Sequence, residues 1–301
     1  MAKYLSIDIG GTAIKYGLIS EEGQILEKHE QATHAYKGGP YILETVKGLV
    51  EDYHSKECLA GVAISSAGMV DPNQGAIFYS GPQIPNYAGT QFKKEIEEAF
   101  QIPCEIDNDV NCAGLAEAIS GSAKDADVAI CLTIGTGIGG CLLVDGKVFH
   151  GSRYAACEVG YMLLPDGQFQ DLASTTALVH EVARRYGQEA SQWDGRRIFE
   201  KAKAGDVHCI AAIDRMVTYL GQGIANICYV ANPSHVILGG GIMAQSDYLA
   251  PKLKASLAHY LVPSLAEKTQ ITFASHGNSV GILGTYYHLR QKEKTFKHTE
   301  K

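Results

Sequence analysis

Asp107, Asn108 and Asp109 stand in a row, with Asn111 one helical turn further on. An apolar strand pattern, PCEID, ends at these residues and a helical pattern, NDVNCAGLAEAIS, begins there, so the positive end of a helix lies beside their side chains. Asp and Asn are favoured N-caps, which accounts for one of the three. Capping does not account for three adjacent polar residues plus Asn111. The second reading is an acid that accepts a proton from a substrate hydroxyl. Glu158, in CEVGYMLL, lies among apolar neighbours, and a buried carboxylate demands a partner or a ligand.

Three glycine loops could hold phosphate: Asp8–Thr12 (DIGGT), Thr133–Gly140 (TIGTGIGG) and Leu238–Gly241 (LGGG). Successive glycines expose backbone N–H groups and let an anion approach where a Cβ would stand in the way. One such loop is equally well a tight hairpin, but three at strand ends point to a ligand. GTGIGG matches the dinucleotide fingerprint letter for letter, yet CLLVDGKVF after it reads as strand and hairpin, whereas that fingerprint must open a helix. A Walker loop fails on spacing, and no Ser or Thr follows Lys147.

The elements that would carry these residues repeat. KYLSIDIG, IKYGLIS and GQILEKHEQAT form an antiparallel meander; ADVAICLTIG, GGCLLVDG and KVFHG form another, again with a glycine loop after the first strand. Strands alternate with helices after each meander. The pattern predicts two α/β domains facing each other across a cleft: residues 1–116, joined by a closing helix near 281–295, and residues 117–280. A chain of 301 residues with 46% hydrophobic content supports two cores.

A net charge of −7 argues against a nucleic-acid surface, and the one basic cluster, RQKEKTFKHTEK at residues 290–301, reads as a solvated tail. Neither a signal peptide nor a membrane span is expected. None of the eight cysteines is spaced as CxxC, so they read as reduced thiols of a cytoplasmic protein. The histidines, His150 and His288 among them, have no ligand spacing and read as surface or satisfied core residues. Trp193 reads as a packing residue in a loop, and Lys15 either approaches phosphate or is a solvated strand residue.

DIGGT, ISSAG, VDPNQG, DNDVNCAGLAE, LTIGTGIGGCLLVDGKV, GSRYAACEVGYM and NPSHVILGGG occur in the order found in the ROK family of sugar kinases, which the chain resembles from residue 4 to about 290. The resemblance implies a two-domain actin-like ATPase (ribonuclease H-like) fold, ATP and Mg2+ as cofactors, a small sugar as partner, and a homodimer. It implies a first phosphate loop at Asp8, Gly10, Gly11 and Thr12, with Asp8 near magnesium, and a second at Thr133, Gly135, Thr136 and Gly137. Gly239 and Gly240 resemble the adenosine edge. Asn108 and Asp109 resemble the sugar-contacting pair, with Asp109 as the base, and Gly68, Gly81 and Glu158 resemble further sugar contacts.

Two departures bear on specificity. Many ROK proteins carry a zinc knuckle with a histidine ligand and a CxCGxxGCxE run; here EVGH has become EVGY, and DGQFQDLASTTALV has no cysteine, so no zinc is predicted. Tyr161 replaces the histidine. Counting back without a gap from Ser174 puts Gln170 in the place of a second sugar-binding glutamate, and a gap would make it Asp171. By resemblance, the missing groups contact the anomeric end of a free hexose, so a substituent there would be tolerated. This variant resembles the β-glucoside kinase branch, with plain glucokinase and N-acetylmannosamine kinase as alternatives. The rival from another class is a ROK-type transcriptional regulator, which needs a helix-turn-helix of about 60–80 residues ahead of the first loop. Asp8 is the eighth residue, and that reading is disfavoured.

Overall fold

The computed structural model describes residues 2–299, and side chains as far as residue 294, so the end of the basic run at 290–301 lies outside the described residues. The chain divides into two compact units: residues 1–119, 150–156 and 276–301 form the first, and residues 120–149 and 157–275 the second. Nothing in the sequence signals the excursion at 150–156.

In the first unit, strands β1 (Lys3–Ile9), β2 (Ala13–Ser20), β3 (Ile25–Ala32), β4 (Leu59–Ser66) and β5 (Cys104–Asn108) form one sheet in the order β3-β2-β1-β4-β5. The meander is antiparallel, and β1, β4 and β5 run parallel. Side chains alternate across a strand. Leu5, Ile7, Val62, Ile64 and Ile106 therefore meet the apolar faces of α1 (Gly39–His54) and α2 (Phe92–Phe100). The other face of β1 and β4 offers Tyr4 and Ala63, which pack on Ile282, Tyr286 and Leu289 of the closing helix Val280–Thr299. Helix α3 (Asp109–Ser120) follows β5 directly. A hairpin of Met69–Asp71 with Ala76–Tyr79 brackets the VDPNQG turn.

The second unit repeats the plan. Strands β6 (Val128–Ile134), β7 (Ile138–Val144), β8 (Lys147–Val148), β9 (His235–Gly239) and β10 (Gln270–Phe273) lie in the order β8-β7-β6-β9-β10. The KVFHG strand is shorter than predicted and stops at Val148. Ile130, Leu132, Val236 and Leu238 pack on α4 (Phe169–Ala173), α5 (Thr175–Tyr186), α6 (Gly195–Lys203), α7 (Val207–Ala231) and α8 (Ser246–Tyr260) in one core. Gly223 lets the ring of Phe169 lie against α7, where a Cβ would come within 2.4 Å of it. Among the described residues no helix is long and apolar enough to cross a membrane.

Candidate active site

The register of three parallel strands sets Asp8, Ser65 and Asp107 abreast on the face that the closing helix covers. Lys15 stands opposite Asp8 on β2 and is half-buried. Ser65 Oγ donates to Asp8 Oδ1 at 2.6 Å. Burial pushes the Asp8 carboxyl above its ordinary range, against the pull of Ser65 and of the Lys15 charge. Gly281, in the first turn of the closing helix, has no Cβ for a reason: one would lie 2.4 Å from Asp8 Oδ2. The loop after β1 is pinned by Thr33, whose Oγ1 donates to the Gly10 carbonyl at 2.7 Å and whose N–H donates to the Thr12 carbonyl at 2.9 Å. Gly11 has open space where a Cβ would project.

At the end of β5 the polar run separates into distinct tasks. Asn108 is the cap: its Oδ1 accepts from the N–H groups of Val110 (2.9 Å) and Asn111 (3.2 Å). Its Nδ2 donates to the Gly68 carbonyl at 2.8 Å. Gly68 has φ +94°, and a Cβ there would meet the Tyr79 carbonyl at 2.7 Å, so the turn requires glycine. Asp109 opens α3 and is half-buried, accessible to a ligand. Its charge helps to raise Tyr87, whose hydroxyl pairs with Ser66 Oγ at 2.6 Å, although burial is the larger cause. Gly81 lies beyond the hairpin, with nothing within 4 Å of where a Cβ would project. Asp107 is 1% exposed, and its partners include His150 and His288.

In the second unit, Gly135–Gly137 is the tip of the β6–β7 hairpin, closed by Gly135 N–H to the Gly137 carbonyl at 3.0 Å. The first turn of α5 docks on it, Thr175 N–H donating to the Gly135 carbonyl at 2.9 Å. Ser174 caps α5 through Ala177 N–H, which leaves a helix N-terminus beside the glycine tip, a setting that favours anions. A cavity of about 780 Å³ opens here, lined by Gly135, Thr136, Thr175, Thr176, Val179, Trp193, Gly195, Phe199, Gly241, Ile242 and Gln245 among others. Of the residues expected to bind nucleotide in this unit, Gly135 and Thr136 line it, whereas Thr133, Gly137, Gly239 and Gly240 do not. Gly240, at φ +107°, serves close packing, since its Cβ would meet the Ile134 carbonyl at 2.2 Å. Trp193 is buried, stacks on Tyr186 with centroids 4.8 Å apart, and also lines the cavity. The α5 threonines and Gln245 carry no motif in the sequence; a helix N-cap four residues after Gln170 was the one available signal.

Glu158 is not buried, contrary to the expectation from its apolar neighbours: the residue is exposed. The reason is a tight turn. Val159 N–H donates to the Cys157 carbonyl at 2.6 Å, and Glu158, at φ −67° and ψ 53°, is the apex of an inverse γ-turn. Cys157 takes a left-handed φ of 65°. The turn sits hard against β7, because Cβ atoms on Gly140 and Gly160 would lie 2.6 Å from the Cys157 carbonyl and 2.4 Å from the Ile138 carbonyl. Partial desolvation raises the Glu158 carboxyl. Tyr161 is 52% exposed, so its ring is not a core residue. Gln170 faces inward on this unit, its Oε1 lying 2.8 Å and 3.0 Å from where Cβ atoms on Gly137 and Gly160 would be; Asp171 is exposed.

Among the described residues, no group of three or more His, Cys, Asp or Glu side chains could hold a metal ion. Asp8, a half-buried carboxylate with a hydroxyl beside it, suits an ion that keeps most of its waters, as Mg2+ does.

Two α/β units that share one strand order, each with a glycine turn after its first strand, define the two-domain actin-like ATPase fold. The chain belongs to the ROK family, whose model matches residues 4–292. A β-glucoside kinase of Listeria monocytogenes is 32% identical, over 97% of this chain and 98% of its own length. A solved ROK family protein of Streptococcus pneumoniae in complex with sucrose is 30% identical, covers 97% of this chain and 99% of its own, and superposes with a TM-score of 0.85. A ROK family glucokinase of Streptomyces griseus, in complex with glucose and AMPPNP, is 25% identical over 96% of this chain and all of its own, with a TM-score of 0.81.

Proposed function

We propose that this carbohydrate kinase transfers the γ-phosphate of ATP to the 6-hydroxyl of a glucosyl unit, and that it accepts that unit in β-glucosides as well as in free glucose. The observation that carries the reaction is Asp109, half-buried in the opening turn of α3 on a backbone held by the Asn108 cap. From there it orients the accepting hydroxyl and takes its proton late in the transfer. Asn108 holds the Gly68 turn, and its second amide hydrogen is suited to a sugar hydroxyl; in the second unit, Glu158 is an exposed residue whose carboxylate suits the same kind of partner. The cavity beside Gly135 and α5 has the size of a nucleotide site. Asp8 would hold magnesium, which when bound neutralises phosphate charge.

Tolerance of a substituent on the anomeric oxygen is supported by Tyr161. An exposed ring offers stacking area to an aglycone without requiring a free hydroxyl. Sucrose, the ligand of the pneumococcal relative, has a substituted anomeric oxygen.

Coupled ADP release over a panel of hexoses and β-glucosides tests this reading. Turnover with cellobiose or an aryl β-glucoside is expected; turnover with free hexoses alone would confine the enzyme to them, and none with any sugar would remove the kinase reading. Asp109→Asn is expected to lower kcat by about 10²–10⁴-fold while sugar binding persists.

A further inference from the structure

Asp107 is a buried anion that the reaction itself does not use. Its Oδ1 accepts from the Asn108 N–H at 2.7 Å and from Asn111 Nδ2 at 3.0 Å, both at the start of α3. Its Oδ2 takes His150 Nε2 at 2.7 Å and His288 Nδ1 at 3.4 Å. The Oδ1 contacts fix the first turn of the helix only while the carboxylate is held from turning, and the short His150 bond on the other oxygen does that. His288, 5% exposed, stands further off, and its Nε2 has no hydrogen-bond partner among the described residues. His150 belongs to the excursion 150–156, which Tyr154 fixes separately by accepting from Asn73 Nδ2 at 2.9 Å.

We propose that His150 is a positioning residue, which through Asp107 fixes the opening turn of α3 and so the aim of Asp109. The proposal rests on Asp109 being the base. A hydrogen bond to an ionised acceptor is among the stronger ones, and small misplacements of a reacting group are costly in rate. The required chemistry at position 150 is a donor that reaches Asp107 Oδ2, and charge on the ring is not needed. Gln meets this requirement through its Nε2; Asn, one methylene shorter, does not.

The test compares His150→Ala, His150→Asn and His150→Gln with the wild type. Ala and Asn are expected to lower kcat by about 10–100-fold with the KM for ATP unchanged, and Gln to stay within about threefold of wild type. Amide exchange in the 108–112 segment is expected to quicken in the Ala and Asn variants and not in Gln. A kcat within twofold of wild type in Asn, or a Gln variant as slow as Asn, overturns the proposal, and so does unaltered exchange at 108–112. The Asn and Gln pair decides the matter if Ala fails to fold. Asp109→Asn is assayed in parallel: if it stays active, the base assignment fails, while the exchange data still decide whether His150 orders the helix start.

Discussion

Burial pushes the Asp107 carboxyl up, but the groups around it, with the His150 hydrogen bond foremost, outweigh desolvation and set it below the ordinary range. His288 is shifted the other way relative to its charge: burial brings it down to about 4, and Lys292, Lys93 and His150 push in the same direction, while Asp107 opposes them. The imidazole is therefore neutral in the folded protein at pH values where an unfolded histidine, near 6.5, takes up a proton. Between those values the unfolded chain binds one proton more, so stability falls as pH falls, by at most about 1.4 kcal/mol per pH unit. Asp107 adds to the loss as pH falls through 3.8, where the unfolded carboxylate also protonates. Urea midpoints measured from pH 7 to pH 5 should decline in the wild type and decline less in His288→Asn, whose amide nitrogen takes the place of Nδ1. Parallel slopes in the two proteins would reject the role of His288. None of this cluster was legible in the sequence. Asp107 stood in a conspicuous run, but its histidines come from distant segments, and lone histidines without ligand spacing read as ordinary surface or core.

At the scale of elements, alternation along the strands decides which carboxylates matter together. Tyr4 and Asp8 share one face of β1, Ala63 and Ser65 one face of β4, and parallel register carries the row to Asp107. The strands themselves were legible from their apolar patterns, and so was the helix that starts after Asn108. The hairpin at Met69–Tyr79 does not show in the sequence pattern, because arms of three and four residues are too short to display a period of two. The orientation of Glu158 was hidden for a similar reason: it depends on Gly140 and Gly160 letting two backbones meet, which neighbouring side chains do not announce. The closing helix is legible as a helix, but not its tightest contact. Gly281→Ala would drive a Cβ toward Asp8 Oδ2 at 2.4 Å. Overpacking of this kind costs about 1–3 kcal/mol, which urea unfolding will read. If Asp8 holds magnesium, the same variant needs several-fold more Mg2+ for half-maximal turnover. An unchanged magnesium requirement would separate Asp8 from the ion.

Across the whole molecule, the shared strand order is the physical content of the repeat seen in the two meanders, and it divides labour between the units. The carboxylates Asp8, Asp107 and Asp109 belong to the first unit, whereas every residue lining the 780 Å³ cavity belongs to the second. That cavity draws nothing from α3, so if it holds the nucleotide and Asp109 is the base, as proposed, binding and proton acceptance are separable by mutation. AMPPNP should bind Asp109→Asn with the wild-type Kd in calorimetry. At a hundredfold excess over Kd it should stabilise both proteins by about 2.7 kcal/mol. Filling the cavity has the opposite signature. Gly241→Trp, at a position whose Cβ meets nothing within 4 Å, adds a large ring at the cavity wall. It should abolish the AMPPNP-dependent stabilisation while leaving the unliganded midpoint within about 0.5 kcal/mol, the range for substitutions that break no packing. If Asp109→Asn weakened AMPPNP more than threefold, or if Gly241→Trp bound it normally, the nucleotide would have to be sought away from the β6–β7 tip and the start of α5.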